Sequence, residues 1–394
     1  MILYNPHVSC LLGELPYYKL RGRHSSKKYS FLIEEAVRRN ETIKIEIDFT
    51  TSSIFPCKLF SKTPLILRKV IGYIEYWLWV RLNKITNNVV LVDQINTNFE
   101  KESIVVFLYK NLSCIDFKNE CDLTINKYGR VVIHCTHYFM DISTKSKFIS
   151  KYKNVLFCAD SNLENNPLFN HYFDVGNEGF KVLPFAVSDR FKLKVDHTPR
   201  LKKAIATGTL IDLRLENHNC AHNDFSLFFN TNYYHPIRAE IYNNSHCIDD
   251  KVFSVISPFR KQSNGLFSKI TSILSISQHD YFAINLVDLY NRYTFVIVGE
   301  EITGAPALGA FEAMACGAIL IGDPRYYNGL GLIEFLHYIP HAGNLNSILE
   351  VIDKFSYDEK RLNQIREHSL RFINGMRSNN VYDKWICEID EYQT

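Results

Sequence analysis

A histidine followed by proline, His235-Pro236, with Arg238 one helical turn further on, is a combination suited to holding a phosphate. Proline fits the first position of a helix, so the free N–H groups of that turn and the imidazole before it would aim at one anion. Arg238 would add a charge-assisted hydrogen bond. Thr209, Arg260 and Lys261 supply further hydroxyl and cationic donors; the last two follow the apolar run Val252 to Ile256 through Ser257-Pro258. Gly304 and Gly309 lie after another apolar run and let backbone approach a ligand with no Cβ in the way. Asp160 stands just past Val155 to Cys158, where a carboxyl could act as general acid or base on a hydroxyl. Each has a plain structural reading too: a capped helix start at His235, a helix cap at Asp160, surface charge at Arg260 and Lys261.

The elements that must position these residues follow from the apolar pattern. Thr294 to Gly322 reads as strand, glycine-bearing loop, helix and strand, with a helix beginning between Ala307 and Gly309 and a left-handed stop at Gly317. A helix there would point its first N–H groups at an anion in the loop; a βαβ packing unit without ligand is the plain alternative. Upstream, Ile43 to Phe49, Val89 to Val92, Ile104 to Tyr109, Val131 to Cys135, Val155 to Cys158 and Val182 to Phe185 alternate with helix-length polar segments, predicting a mostly parallel sheet. A second series runs through Lys203 to Leu210, Val252 to Ile256, Phe295 to Val298 and Ala318 to Ile321. The fold class is therefore α/β, with domains over 1–195 and 196–394 facing a common cleft, and helices at the C-terminus that pack on the second domain or cross back to the first. Ligands in such sheets sit beyond the carboxyl ends of the strands.

The chain has 394 residues, more than one core usually serves. Its 46% hydrophobic and 22% charged residues are those of a soluble globular protein, and a net charge of +3 gives no argument for nucleic acid. Neither a secretion signal nor an apolar run long enough to span a membrane is evident. Ten cysteines without a C-x-x-C pair fit reduced thiols in the cytoplasm. His218, Cys220 and His222 have spacings a metal could use, but without a second ligand cluster they read as a loop. The basic stretches Lys58 to Lys69 and Lys145 to Lys153 read as solvated faces, and residues 72–80, with two tryptophans, read as core rather than as a membrane contact.

The order of parts resembles a glycosyltransferase of the GT-B type. Pro184 to Phe191 resembles the segment leading out of the first domain, Ala206-Thr-Gly-Thr-Leu210 the first strand and turn of the donor domain, and Gly309 to Gly322 the helix whose glutamate binds the donor's ribose. The resemblance implies that Glu312 takes that role, with Gly208 and Thr209 in the donor turn. The glutamate eight positions earlier in many retaining members is Gly304 here, and Glu300 and Glu301 stand further upstream.

The His-Pro pair and Asp160 resemble positions in bacterial sialyltransferases and Kdo transferases, most of all the retaining β-Kdo transferases. That resemblance implies a metal-independent transfer of Kdo from CMP-Kdo to a glycan or lipid-linked acceptor in lipopolysaccharide, O-antigen or capsule synthesis. The enzyme would be cytoplasmic, with peripheral membrane contact or further domains of a larger synthase compatible with it. The family's nucleophile would fall near Asn232, an isostere of aspartate but a poor nucleophile, with Asp224 as a substitute. Alternatives are a UDP- or GDP-hexose transferase, a GT-B-fold epimerase or phosphorylase, and an inactive sugar-nucleotide-binding module.

Overall fold

The computed structural model describes residues 1–9, 11–16, 28–55, 57–95, 98–108, 115–139, 141–152, 155–163, 166–173, 180–194, 199–214, 227–258 and 284–392. The first sheet is formed by β1 (Ile2–Tyr4), β2 (Ile43–Glu46), β3 (Val89–Leu91), β4 (Ser103–Phe107), β5 (Arg130–His134), β6 (Val155–Ala159) and β7 (Phe180–Val182). Its order is β3-β2-β1-β4-β5-β6-β7 and every pairing is parallel. All five residues of both β4 and β6 are buried, as strands covered by helices on both faces must be. The order reverses between β1 and β4, so the crevice of this sheet opens beyond Tyr4 and Phe107. Helices α1 (Phe31–Arg38), α2 (Cys57–Phe60), α3 (Leu65–Leu82), α4 (Ile115–Lys127), α5 (Ile142–Ile149) and α6 (Pro167–Tyr172) lie between these strands in the chain.

The second half contributes β8 (Leu201–Ala206), β9 (Thr209–Leu210), β10 (Val252–Ser254), β11 (Ser257–Pro258), β12 (Tyr293–Ile297), β13 (Ile319–Gly322) and β14 (Ile339–Pro340). Five of them form a parallel sheet in the order β10-β8-β12-β13-β14, while β9 pairs with β11 as a short parallel extension. The strand and turn expected from Ala206 to Leu210 appear as the end of β8 and a break at Thr207-Gly208, where Gly208 takes φ +128°. Helices α7 (Pro236–Asn243), α8 (Leu286–Arg292), α9 (Leu308–Ala315), α10 (Pro324–Tyr327), α11 (Leu345–Phe355), α12 (Glu359–Gly375) and α13 (Ser378–Glu391) complete the described elements. As the sequence predicts, α9 starts at Leu308 and ends at Gly317 in the left-handed region, φ +79°.

Both expectations for the C-terminal helices are met by different helices. α11 packs on α7 and α12 on α9, while α13 crosses back and packs on α1. There Tyr382 donates to Glu41 at 2.6 Å and Trp385 donates its indole N–H to the Pro184 carbonyl at 2.8 Å. The Trp385 ring stacks on His134 at 5.3 Å, and His134 in turn donates Nε2–H to Leu183 at 3.1 Å. Val187 also bonds to the turn before α13, through the Met376 carbonyl at 2.9 Å. One continuous apolar core therefore runs from the first sheet through Phe185 and Phe191 to α9, and fixes the two halves against each other.

Candidate functional site

The helix start expected at Pro236 is where α7 begins, with His235 as its N-cap residue. His235 is buried, and its Nδ1 has no hydrogen-bond partner among the described residues. Burial first, and the neighbouring Arg238 second, hold its pKa well below the ordinary value, so the ring is a neutral imidazole. An unfilled polar atom at a helix N-terminus is costly unless something arrives to meet it.

Arg238 is used differently from the phosphate contact its position suggested. Its Nε donates to the Val298 carbonyl at 2.5 Å and its Nη1 to the Thr209 carbonyl at 2.9 Å, clamping the exits of β12 and β8 together. Two glycines in the left-handed region make this possible. A Cβ on Gly208 would lie 2.5 Å from the Arg238 Cζ, and one on Gly299, φ +65°, would lie 2.7 Å from its Cγ. We expect Arg238→Ala to cost about 2–4 kcal/mol by stranding the buried Val298 carbonyl and the half-buried Thr209 carbonyl. Gly208→Ala should cost about 1–3 kcal/mol through backbone strain and overlap. Urea denaturation of the two variants checks this; unchanged midpoints would show that the clamp carries no stability.

Across the cleft, the first half offers Asp160 at the end of β6 and Lys28 just before α1. Lys28 makes a direct ion pair with Asp160 and places its ammonium 5.0 Å from the Phe185 ring centre. Burial alone would raise the Asp160 carboxyl, but Lys28 beside it wins and holds the pKa down to about 2. A carboxyl held that low stays ionised at neutral pH, so of the two roles expected of Asp160, general acid or general base, the pairing with Lys28 disfavours the acid. It anchors Lys28.

Glu301, from the second half, feels the charges of that pair. Its carboxylate accepts from the Tyr234 hydroxyl at 2.6 Å and stands 4.0 Å from the His235 Nε2. Burial raises its pKa, with Lys28, Tyr234 and Arg238 opposing and Asp160 adding to the rise. The preceding residue faces the other way. Glu300 is buried and accepts from the Asp323 N–H at 3.0 Å, tying the ends of β12 and β13. Sequence reading set both glutamates aside because of their spacing from Glu312; the available signal was an adjacent acidic pair directly after a buried strand, where alternate residues face opposite sides.

The glycine-bearing loop closes on the first half. Ser161 donates to the Gly304 carbonyl at 3.1 Å, Tyr138 to the Thr303 carbonyl at 2.9 Å and Asn166 to the Ile302 carbonyl at 3.4 Å. A Cβ on Gly304 would lie 3.0 Å from Asn166 Nδ2, so its room is used by protein. Gly309, in the first turn of α9, lets that helix approach Tyr290, whose hydroxyl is 3.2 Å from where a Cβ would be. Glu312, further along α9, is half-buried. Burial pushes its carboxyl up to about 7, against the opposing charge of Arg190.

Asn232 has an exposed side chain, and its carbonyl accepts from the Leu213 N–H at 2.9 Å. Asp224, Arg260, Lys261 and the His218, Cys220 and His222 group lie outside the described residues. Lys145, expected on a solvated face, is buried and donates to the His137 carbonyl at 3.1 Å. Among the described residues no three His, Cys, Asp or Glu side chains converge as a metal site requires. His235, Arg238, Gly208 and Thr209 therefore gather around one helix start with Glu301 beside His235, and the Lys28 and Asp160 charges act on Glu301.

No family model matches the sequence. No curated protein matches it either. Solved structures do. The chain is similar to a sucrose-phosphate synthase from Thermosynechococcus elongatus, with TM-score 0.54 and 10% identity over 99% of this chain and 98% of the other. It is also similar to HepE from Anabaena in complex with UDP and glucose, with TM-score 0.51 and 9% identity over 99% of each chain. At such identities the likeness is one of architecture. Together with two parallel sheets meeting at their strand ends, it defines the class: the chain has the GT-B fold.

Proposed function

We propose that this chain is a glycosyltransferase that moves a sugar from a nucleotide-activated donor to a glycan acceptor across the cleft. The observation that carries the reading is His235: a buried neutral imidazole at the start of α7, with Nδ1 unpartnered among the described residues and Glu301 4.0 Å from its Nε2. The first N–H groups of α7 and the imidazole would meet the donor's phosphate, and Glu312 would accept from its ribose hydroxyls. Glu301, with its raised pKa and its place beside Lys28, is the better-matched base for the acceptor hydroxyl. Thr209 would add a donor to the phosphate; the donor roles of Arg260 and Lys261 and the nucleophile role of Asp224 or Asn232 rest on the sequence resemblance alone.

The His-Pro pair favours CMP-Kdo as donor, transferred with retention in bacterial surface-polysaccharide synthesis, and no step requires a metal. A second reading, a UDP- or GDP-hexose donor, draws on the likeness to HepE, whose structure holds UDP and glucose. Release of free nucleotide from CMP-Kdo, UDP-glucose and GDP-mannose, followed with and without glycan acceptor, tests the proposal. Acceptor-dependent release from one of them supports transfer and names the donor; absence of release from all three, together with no gain in Asn232→Asp, returns the chain to a binding module.

A further inference from the structure

Residues 72–80, expected in the core, are divided by α3. Trp79 is fully buried, whereas Trp77 is 52% exposed and Ile66, the second residue of the helix, is 80% exposed. Ile66, Val70, Tyr73, Ile74 and Trp77 follow helical spacing, so they form one apolar stripe turned to solvent. The loop before α2 adds to it. Glu75, on the buried side of α3, accepts from Ser52 Oγ at 2.6 Å, Ser53 N–H at 3.0 Å and Ile54 N–H at 3.3 Å, which holds Ile54 and Phe55 out as further exposed apolar groups.

The charge around this face is one-sided. Between Phe49 and Val92 the sequence carries six basic residues, of which Lys62, Lys69, Arg81 and Lys84 are exposed, and a single acid, Glu75, which is buried. The Arg81 guanidinium lies 4.8 Å from the Trp77 ring centre, putting a cation and an amphipathic ring at one edge of the stripe. Exposed apolar surface of this extent marks an interaction site, and aliphatic residues with tryptophan and flanking bases are the composition of a helix lying in a lipid interface. Four charged residues within α3 are too many for it to cross a bilayer, and no described helix is long and apolar enough to do so. A second copy is disfavoured as occupant, because a two-fold contact would set this basic face against itself.

We propose that the exposed face of α3, with the Ile54-Phe55 loop, docks on the surface of an anionic lipid bilayer. This inference stands apart from the transfer chemistry and needs no turnover to be tested. The purified chain is mixed with vesicles of phosphatidylcholine containing phosphatidylglycerol, or of phosphatidylcholine alone, and followed by co-sedimentation and tryptophan emission. Trp77 alone of the three tryptophans is exposed, so docking should shift its emission to the blue, and Trp77→Phe should abolish the shift. Binding is expected on anionic vesicles, to weaken at least about tenfold in Lys69→Glu/Arg81→Glu and to be lost in Ile66→Ser/Ile74→Ser, with melting temperatures unchanged. Absence of binding to anionic vesicles, binding unaffected by both double variants, or a lipid-independent blue shift that grows with self-association would each overturn the proposal.

Discussion

Replacing Lys28 by methionine is expected to destabilise the fold by about 3–5 kcal/mol, because it leaves the Asp160 carboxylate buried without its counter-ion. The double variant Lys28→Met/Asp160→Asn should recover most of that loss, since it removes both charges together. The pH dependence supplies an independent sign. In the native protein Asp160 titrates at about 2, below its ordinary 3.8, so its contribution is complete above 3.8 and is lost as pH falls towards 2. Without Lys28, burial is the leading remaining influence and pushes the carboxyl up, so the contribution reverses and the variant should gain relative stability on acidification. Denaturant midpoints at neutral and mildly acidic pH read both effects. Equal midpoints for the native chain and Lys28→Met would show that the pair holds nothing.

Glu301→Gln should slow transfer by about 10²–10⁴-fold with little change in nucleotide affinity, as removal of a general base does. Glutamine keeps an acceptor for the Tyr234 hydroxyl, which bonds Glu301 at 2.6 Å, so the loss would report proton transfer rather than packing. Because burial raises the Glu301 pKa, the native rate should fall as pH drops through that raised value, and this limb should disappear in the variant. A variant that turns over at the native rate would move the base elsewhere in the cleft.

These two residues show where sequence reading reaches and where it stops. The unit from β12 through α9 to β13 was legible because a buried strand, a glycine stop and an alanine-rich helix each leave a local pattern. β1, an interior strand of the first sheet beside β4, was missed because three residues at the chain start carry no measurable period. β14 has only two residues and escaped for the same reason. Arg238 was legible as a cation one turn past His235, but not as a clamp, since Gly208 and Gly299 come to it from separate strands.

Lys28 and Asp160 are 132 positions apart, a distance no local pattern bridges. The tryptophans were a different kind of miss. Trp77 and Trp79 are two positions apart, and on a helix that separates them by roughly 200°, so a helical reading of 72–80 already implied that both could not be core.

The cleft around the start of α7 is expected to bind a nucleotide. Isothermal titration of the chain with CMP, UDP, GDP and ADP, with and without magnesium, tests it most directly, run above and below neutrality and repeated with His235→Ala and Glu312→Gln. The account predicts one preferred nucleotide, weakened by His235→Ala. It also predicts affinity that rises as Glu312, held at about 7, ionises, a rise absent from Glu312→Gln. A preference for CMP would support the Kdo donor, and one for UDP or GDP the hexose donor. No heat with any of the four, or binding indifferent to both substitutions, would contradict the account.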